Sequence, residues 1–146
     1  MSREKLDPQN MCKSIFDFPD QIEKAVEIGK NIGLRKPYSK VNKIVLAGMG
    51  GSAVGGDLLS LALRNHVSVP FFVSRNYTLP NWVDENSLVI CSSYSGNTEE
   101  TLSAFNEARS KNAAIIGITT GGILSSWLKE YDCDEITIVG GLQPRA

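Results

Sequence analysis

The chain has 146 residues with 15 Lys+Arg and 16 Asp+Glu, and its net charge of -1 provides no basic field for non-specific nucleic-acid binding. Hydrophobic residues make up 42% and charged residues 21%, and together with the length this indicates one folded domain with its own core. No apolar run is long enough to span a membrane, and the N-terminus lacks the apolar segment of a signal peptide.

The first forty residues predict helix followed by a connector. The pattern from Phe18 indicates a helix with Pro19 in its first turn and Gly33 as its C-terminal cap. The polar stretch Lys36–Lys40 then links it to the rest of the chain. We therefore divide the chain into an N-terminal helical segment and connector, residues 1–40, and an α/β domain, residues 41–146.

From Val41 onward, short apolar runs alternate with Gly/Ser-rich turns and helical stretches. Five runs are predicted as strands: Ile44–Ala47, Pro70–Ser74, Leu88–Ser92, Ala114–Ile118 and Glu135–Val139. Strands that are apolar along their whole length are typical of a parallel sheet covered on both faces. The sequence thus predicts a three-layer, doubly wound, five-stranded parallel sheet, for which we take the common strand order 2-1-3-4-5.

The segment Gly48–Ala53 follows the first predicted strand and opens a helix. Glycines let the backbone approach a ligand closely, the amide N–H groups and helix dipole favour an anion, and Ser52 adds a hydroxyl. The letters also fit the G-x-G-x-x-A pattern of dinucleotide-binding domains. The segment therefore predicts an anion site, and a tight glycine turn without a ligand is the alternative.

The segment Ser93–Thr101 follows the third predicted strand. Three hydroxyls lie at its predicted helix N-terminus, those of Ser93, Ser95 and Thr98. Hydroxyls and backbone amides together bind a phosphate monoester without a lysine or a metal. The alternative is simple helix capping by Ser95 or Thr98, with Glu99 and Glu100 placed favourably on the dipole.

In the assumed strand order these two loops flank the same crevice, which favours a phosphorylated small molecule as ligand. Two classes of nucleotide-binding domain fit this sequence less well. A dinucleotide-binding domain needs an acidic residue after its second strand, where this chain has Ser74 and Arg75, a pair that suits at best a 2′-phosphate. A flavodoxin-like domain has its hydroxyl-rich loop after the first strand, not the third.

The cysteines and the histidine indicate no metal site or disulfide. Cys12, Cys91 and Cys133 are odd in number and widely spaced, and His66 stands alone. We expect reduced thiols in a cytoplasmic protein.

The two loops resemble those of a SIS (sugar isomerase) domain, and more narrowly those in the N-terminal half of the bifunctional phosphoglucose/phosphomannose isomerases. Three further segments carry the narrower resemblance: Arg75–Trp82, Thr119–Gly122 and Gly141–Ala146. The resemblance runs from about Phe18 to the last residue.

That family interconverts glucose 6-phosphate, mannose 6-phosphate and fructose 6-phosphate without a cofactor, and the resemblance implies a phosphorylated hexose as ligand and a homodimer. It also implies that six residues hold the phosphate and sugar: Gly50, Gly51, Ser52, Ser93, Ser95 and Thr98. It places Arg145 beside the substrate, where a fixed cation stabilises the enediolate; without the resemblance Arg145 is a solvated charge.

The resemblance places the glutamate base and the ring-opening histidine of these enzymes in a second SIS domain, which this chain lacks. We therefore expect the chain to be the phosphosugar-binding portion of such an isomerase, binding without turnover by itself. The alternative is a stand-alone SIS module that senses a phosphosugar and acts through a partner.

Overall fold

The computed structural model of the chain describes residues 7–8 and 10–141. Within them, five strands form one parallel sheet: β1 (Lys43–Gly48), β2 (Phe71–Ser74), β3 (Ser87–Ser92), β4 (Ala114–Thr119) and β5 (Asp134–Thr137). The order β2-β1-β3-β4-β5 confirms the predicted fold class and topology. The helices are α1 (Met11–Phe16), α2 (Phe18–Lys30), α3 (Gly50–Leu63), α4 (Glu99–Ser110) and α5 (Gly122–Glu130).

The two faces of the sheet pack against different helices. Side chains alternate along a strand, so Val45 and Ala47 share one face and Leu46 lies on the other. Val45 and Ala47 belong to a buried cluster that includes residues of α4 and α5, among them Phe105. On the opposite face, a Cβ added to Gly56 of α3 would lie 2.9 Å from Leu46 Cδ2, so this glycine lets α3 approach β1 closely.

Two local predictions are wrong. Gly33 does not cap α2: the helix ends at Lys30, where the Asn31 amide donates to the carbonyls of Glu27 and Ile28 and closes the last turn. The last strand is Asp134–Thr137 and not Glu135–Val139. It begins one residue earlier because Asp134 pairs with Ile116 of β4, and the side chain of Asp134 is buried in a polar contact.

That contact attaches the connector after α2 to the edge of the sheet. The Asp134 carboxylate, with 4% of its side chain exposed, accepts hydrogen bonds from the Tyr38 hydroxyl at 2.6 Å and from Arg35 Nε at 3.0 Å. The backbone amides of Arg35 and Lys36 donate to the same carboxylate. Burial opposes the charge of Asp134, but the hydrogen bonds from Tyr38 and these amides hold its pKa below the usual range.

The N-terminal helices contribute little to the core. Neither α1 nor α2 contains a buried residue among those described. Several of their apolar side chains are about half exposed or more: Ile15, Phe16, Phe18, Ile22 and Val26. The helix that we predicted from Phe18 is therefore present as α2 and is preceded by α1, but the apolar side chains of both remain largely exposed.

Candidate functional site

The carboxyl ends of β1 and β3 lie side by side, which brings the two predicted loops together. Gly48 at the end of β1 pairs with Ser92 at the end of β3. A Cβ at position 48 would lie 2.9 Å from the Ser92 carbonyl oxygen, so a glycine is needed for this close approach. The loop after each strand consequently borders the same crevice, at the switch point of the sheet.

A cavity of about 590 Å³ occupies this crevice, a volume suited to a small ligand. Five of the predicted site residues line it: Gly50, Gly51, Ser52, Ser95 and Thr98. Five residues that we did not predict also line it: Met49, Gly55, Ser92, Tyr94 and Ile138. Of the remaining predicted residues, Ser93 lies beneath the cavity, and Arg145 lies outside the described residues.

Two helices begin at the cavity, and no side chain caps either of them in the described part of the chain. Helix α3 starts at Gly50, whose φ of 50° lies in the left-handed region, with Met49 in the cap position. Helix α4 starts at Glu99 with Thr98 in the cap position. The first amide N–H groups of a helix lack partners within it and carry a partial positive charge, so the two helix ends together suit an anion.

The loop hydroxyls are not used as helix caps, which was the alternative interpretation of these residues. The Thr98 hydroxyl lies 2.8 Å from the Ser93 hydroxyl, and Ser95 Oγ accepts a hydrogen bond from the Asn97 amide. Neither side chain makes a cap hydrogen bond to α4. The capping interpretation is therefore wrong, because each hydroxyl is engaged inside the loop instead.

Ser93 has a different place from the other predicted residues. It is 2% exposed, and its Oγ accepts a hydrogen bond from the Gly96 amide at 3.1 Å. Its own amide donates to the Ile118 carbonyl of β4. Ser93 thus supports the turn, and its hydroxyl contacts one cavity-lining side chain, that of Thr98.

No charged side chain lines this cavity among the residues described, and they contain no cluster of His, Cys, Asp or Glu that could hold a metal. His66 is exposed beyond the end of α3, about 20 Å along that 14-residue helix from the cavity. The described site therefore offers amides and hydroxyls, which suit anion binding, and no carboxylate or imidazole for proton transfer.

None of the described helices combines the length and apolar character that crossing a membrane requires.

The described cysteines, Cys12, Cys91 and Cys133, are all free thiols. Burial raises the pKa of the Cys91 thiol strongly, so Cys91 is inert packing within the core.

The tyrosine of the loop is the clearest residue that sequence reasoning missed. Tyr94 stands inside the segment Ser93–Thr101, where the pattern of serine and threonine hydroxyls predicts phosphate binding and gives no role to an aromatic ring. Its carbonyl accepts hydrogen bonds from the amide and the hydroxyl of Thr120, at 3.1 and 2.8 Å. Ile138 follows β5, and its position at the cavity could be predicted only from a known strand order and register.

Comparison with known proteins agrees with this geometry. The family model described as "SIS domain" matches residues 38–139. A bifunctional phosphoglucose/phosphomannose isomerase from Caldicellulosiruptor bescii is 51% identical over 136 residues, which is 93% of this chain and 40% of that protein. The protein of the same description from Thermoplasma acidophilum is 49% identical over 105 residues, 72% of this chain and 32% of its own length.

Among solved structures, the C-terminal domain of glucosamine-fructose-6-phosphate aminotransferase from Francisella tularensis has the same fold. It superposes with a TM-score of 0.74 at 20% identity, over 97% of this chain and 42% of that one. The chain thus spans about 40% or less of the length of these two curated relatives. On its fold, its crevice and this match over most of its length, the chain belongs to the SIS domain family.

Proposed function

We propose that the chain binds the phosphate of a phosphorylated hexose between the N-termini of α3 and α4. The observation that carries the proposal is the convergence of two uncapped helix ends and the loop hydroxyls on one cavity. A phosphate monoester satisfies such donors better than a neutral ligand does, because both helix dipoles favour negative charge.

Within this proposal the site residues divide into two groups. The amides of Gly50 and Gly51 and the side chain of Ser52 contact the phosphate from α3. Ser95 and Thr98 contact it from the facing loop, and Ser93 acts on it by holding the Thr98 hydroxyl.

We further propose that the chain is the phosphosugar-binding portion of an isomerase that converts glucose 6-phosphate and mannose 6-phosphate to fructose 6-phosphate. The 51% identity over 136 residues to one such enzyme supports this. The reaction moves a proton between C1 and C2 through an enediolate, and Arg145 would offset the negative charge that develops on its oxygen. No cofactor is required for that chemistry.

The division of the chain into residues 1–40 and a SIS domain over residues 41–146 belongs to the same proposal. We expect no turnover by this chain alone, because proton transfer needs an acid and a base within hydrogen-bond reach of the sugar. A coupled assay for fructose 6-phosphate with the purified chain tests this. Robust isomerisation would refute the assignment as a binding portion.

Titration decides the ligand class. Calorimetry with fructose 6-phosphate, with inorganic phosphate and with NADPH should give heats for the first two ligands and none for NADPH. Binding of NADPH in preference to fructose 6-phosphate would instead support a dinucleotide site. Ser95→Ala should weaken the binding of fructose 6-phosphate, whereas Ser126→Ala, an exposed serine on α5, serves as the matched control.

We also propose that the protein acts in the cytoplasm as a homodimer. An exposed apolar strip on α3 supports self-association: Val54, Leu58 and Leu61 recur at helical spacing and are 52%, 64% and 70% exposed. Light scattering at micromolar concentration tests the dimer, and Leu58→Lys should shift the mass toward a monomer. A monomeric wild-type chain would contradict it.

A further inference from the structure

We propose that Asn97 is a positioning residue that holds the phosphate-binding loop in shape by capping a different helix, α5. The side chain of Asn97 reaches across from the loop after β3 to the loop after β4. Its Oδ1 accepts a hydrogen bond from the Ile123 amide at 3.0 Å.

Helix α5 cannot be capped by its own preceding residue. The cap position is occupied by Gly121, which has no side chain. Ile123 is the second residue of the helix, and its N–H is one of those that a capping side chain normally satisfies. Asn97 therefore supplies from another loop the acceptor that Gly121 lacks.

The backbone beside Asn97 makes a second bond to the same helix end. The Gly96 carbonyl accepts a hydrogen bond from the Leu124 amide at 2.9 Å. Leu124 is fully buried, so this end of α5 is anchored in the core. Two consecutive loop residues thus accept hydrogen bonds from two consecutive amides at the start of α5.

The two loops are also in direct backbone contact. A Cβ at Gly96 would lie 1.8 Å from the Gly121 carbonyl oxygen, and a Cβ at Gly122 would lie 2.4 Å from the Ser95 carbonyl oxygen. With so little space between the loops, the position of α5 decides where the loop 93–98 can lie.

In the chain, Asn97 stands between two hydroxyl-bearing residues that line the cavity, Ser95 and Thr98, but does not line it itself. The backbone amide of Asn97 also donates to Ser95 Oγ at 3.2 Å. The arrangement points to a residue that acts on the ligand indirectly, by fixing its neighbours, and its side chain is exposed and so free to be substituted without opening the core.

The test compares Asn97→Ala, Asn97→Asp and Ser126→Ala in the full chain. Asn97→Ala removes the acceptor, while Asn97→Asp keeps an oxygen that can accept from the Ile123 amide. Ser126→Ala removes a different hydrogen bond to the first turn of α5, from Ser126 Oγ to the Gly122 carbonyl, and leaves the loop untouched.

Hydrogen exchange of the Gly96 amide, which is bonded to Ser93, reports the shape of the loop without any ligand. We expect Asn97→Ala to speed this exchange about tenfold, and Asn97→Asp to restore the protection. Ser126→Ala should leave it unchanged. Unaltered Gly96 exchange in Asn97→Ala, or an equal effect of Ser126→Ala, would overturn the inference.

Affinity for fructose 6-phosphate provides the second readout, and only this readout rests on the proposed function. Asn97→Ala should weaken binding about five- to tenfold, and Ser126→Ala should not. If the wild-type chain binds neither fructose 6-phosphate nor inorganic phosphate, the proposed function fails and the exchange result alone decides the role of Asn97.

Discussion

The hydroxyls of Ser93 and Thr98 lie 2.8 Å apart at the two ends of one tight loop. Ser93 is buried, whereas Thr98 lines the cavity. In the proposed site, Ser93 orients the Thr98 hydroxyl without lining the cavity itself, because a hydroxyl that is already bonded on one side has fewer directions left for its other lone pair and proton.

Ser93→Ala should lower both stability and affinity. The change removes the partner of Thr98 and one acceptor of the Gly96 amide, so we expect a loss of about 1–2 kcal/mol in the free energy of unfolding. Urea denaturation measures this loss, and calorimetry with fructose 6-phosphate should show about fivefold weaker binding.

The matched variant is Ser95→Ala, which lies in the same loop but is exposed. Ser95 Oγ is bonded only to the Asn97 amide in the described structure, so its loss should cost less stability while still weakening binding. Equal stability losses in the two variants would contradict the supporting role assigned to Ser93.

Gly96→Ala should be severely destabilising. The residue has a φ of 69°, and an added Cβ would collide with the Gly121 carbonyl, a backbone atom that cannot move aside cheaply. Together, the strain and the overpacking should cost about 3 kcal/mol or more, measured as a shift in the denaturation midpoint.

Gly51→Ala is the contrasting glycine substitution. A Cβ there would meet nothing within 4 Å, and the residue lies in the first turn of α3, where alanine favours the helix. Stability should stay the same or rise by about 0.5 kcal/mol, whereas affinity for fructose 6-phosphate should fall because a methyl group enters the cavity. A stable variant with undiminished affinity would argue against phosphate contact at position 51.

Asp134→Ala should release the connector from the edge of the sheet. It removes the acceptor of the Tyr38 hydroxyl and of Arg35, so we expect a loss of about 2 kcal/mol in the free energy of unfolding. Asp132→Ala is the control, since Asp132 pairs with the same Arg35 but its side chain is 69% exposed. Its loss should be below about 0.5 kcal/mol.

The pH dependence of stability should report the same carboxylate. Because the pKa of Asp134 is lower in the folded chain, its contribution is fully present above the unfolded carboxyl pKa of about 3.9 and is lost as pH falls through the folded value. Urea midpoints of the wild type and of Asp134→Asn should differ by a constant amount from pH 7 to pH 5 and converge below about pH 4. A difference that grows on acidification would contradict the assignment.

Much of the fold could be predicted from local patterns. The five apolar runs marked the strands to within one or two residues, since a strand buried on both faces must be apolar along its length. The exceptions are polar residues with tertiary partners. Asp134 begins β5 although aspartate disfavours strands, because Arg35 and Tyr38, almost a hundred residues away in the chain, satisfy its carboxylate.

In the candidate site, too, some features follow from the local sequence and others from tertiary contacts. The sequence by itself determined that two loops rich in glycine and hydroxyl groups follow two buried strands, because those residue types and their spacing are local properties. Only the tertiary structure decided that Ser95 and Thr98 line the cavity while Ser93 lies under it, and that Asn97 turns away to α5. Asn97 reaches α5 because β3 and β4 are neighbours in the sheet, and the cavity forms because β1 and β3 are neighbours. Neither proximity exists until the sheet has brought its strands together.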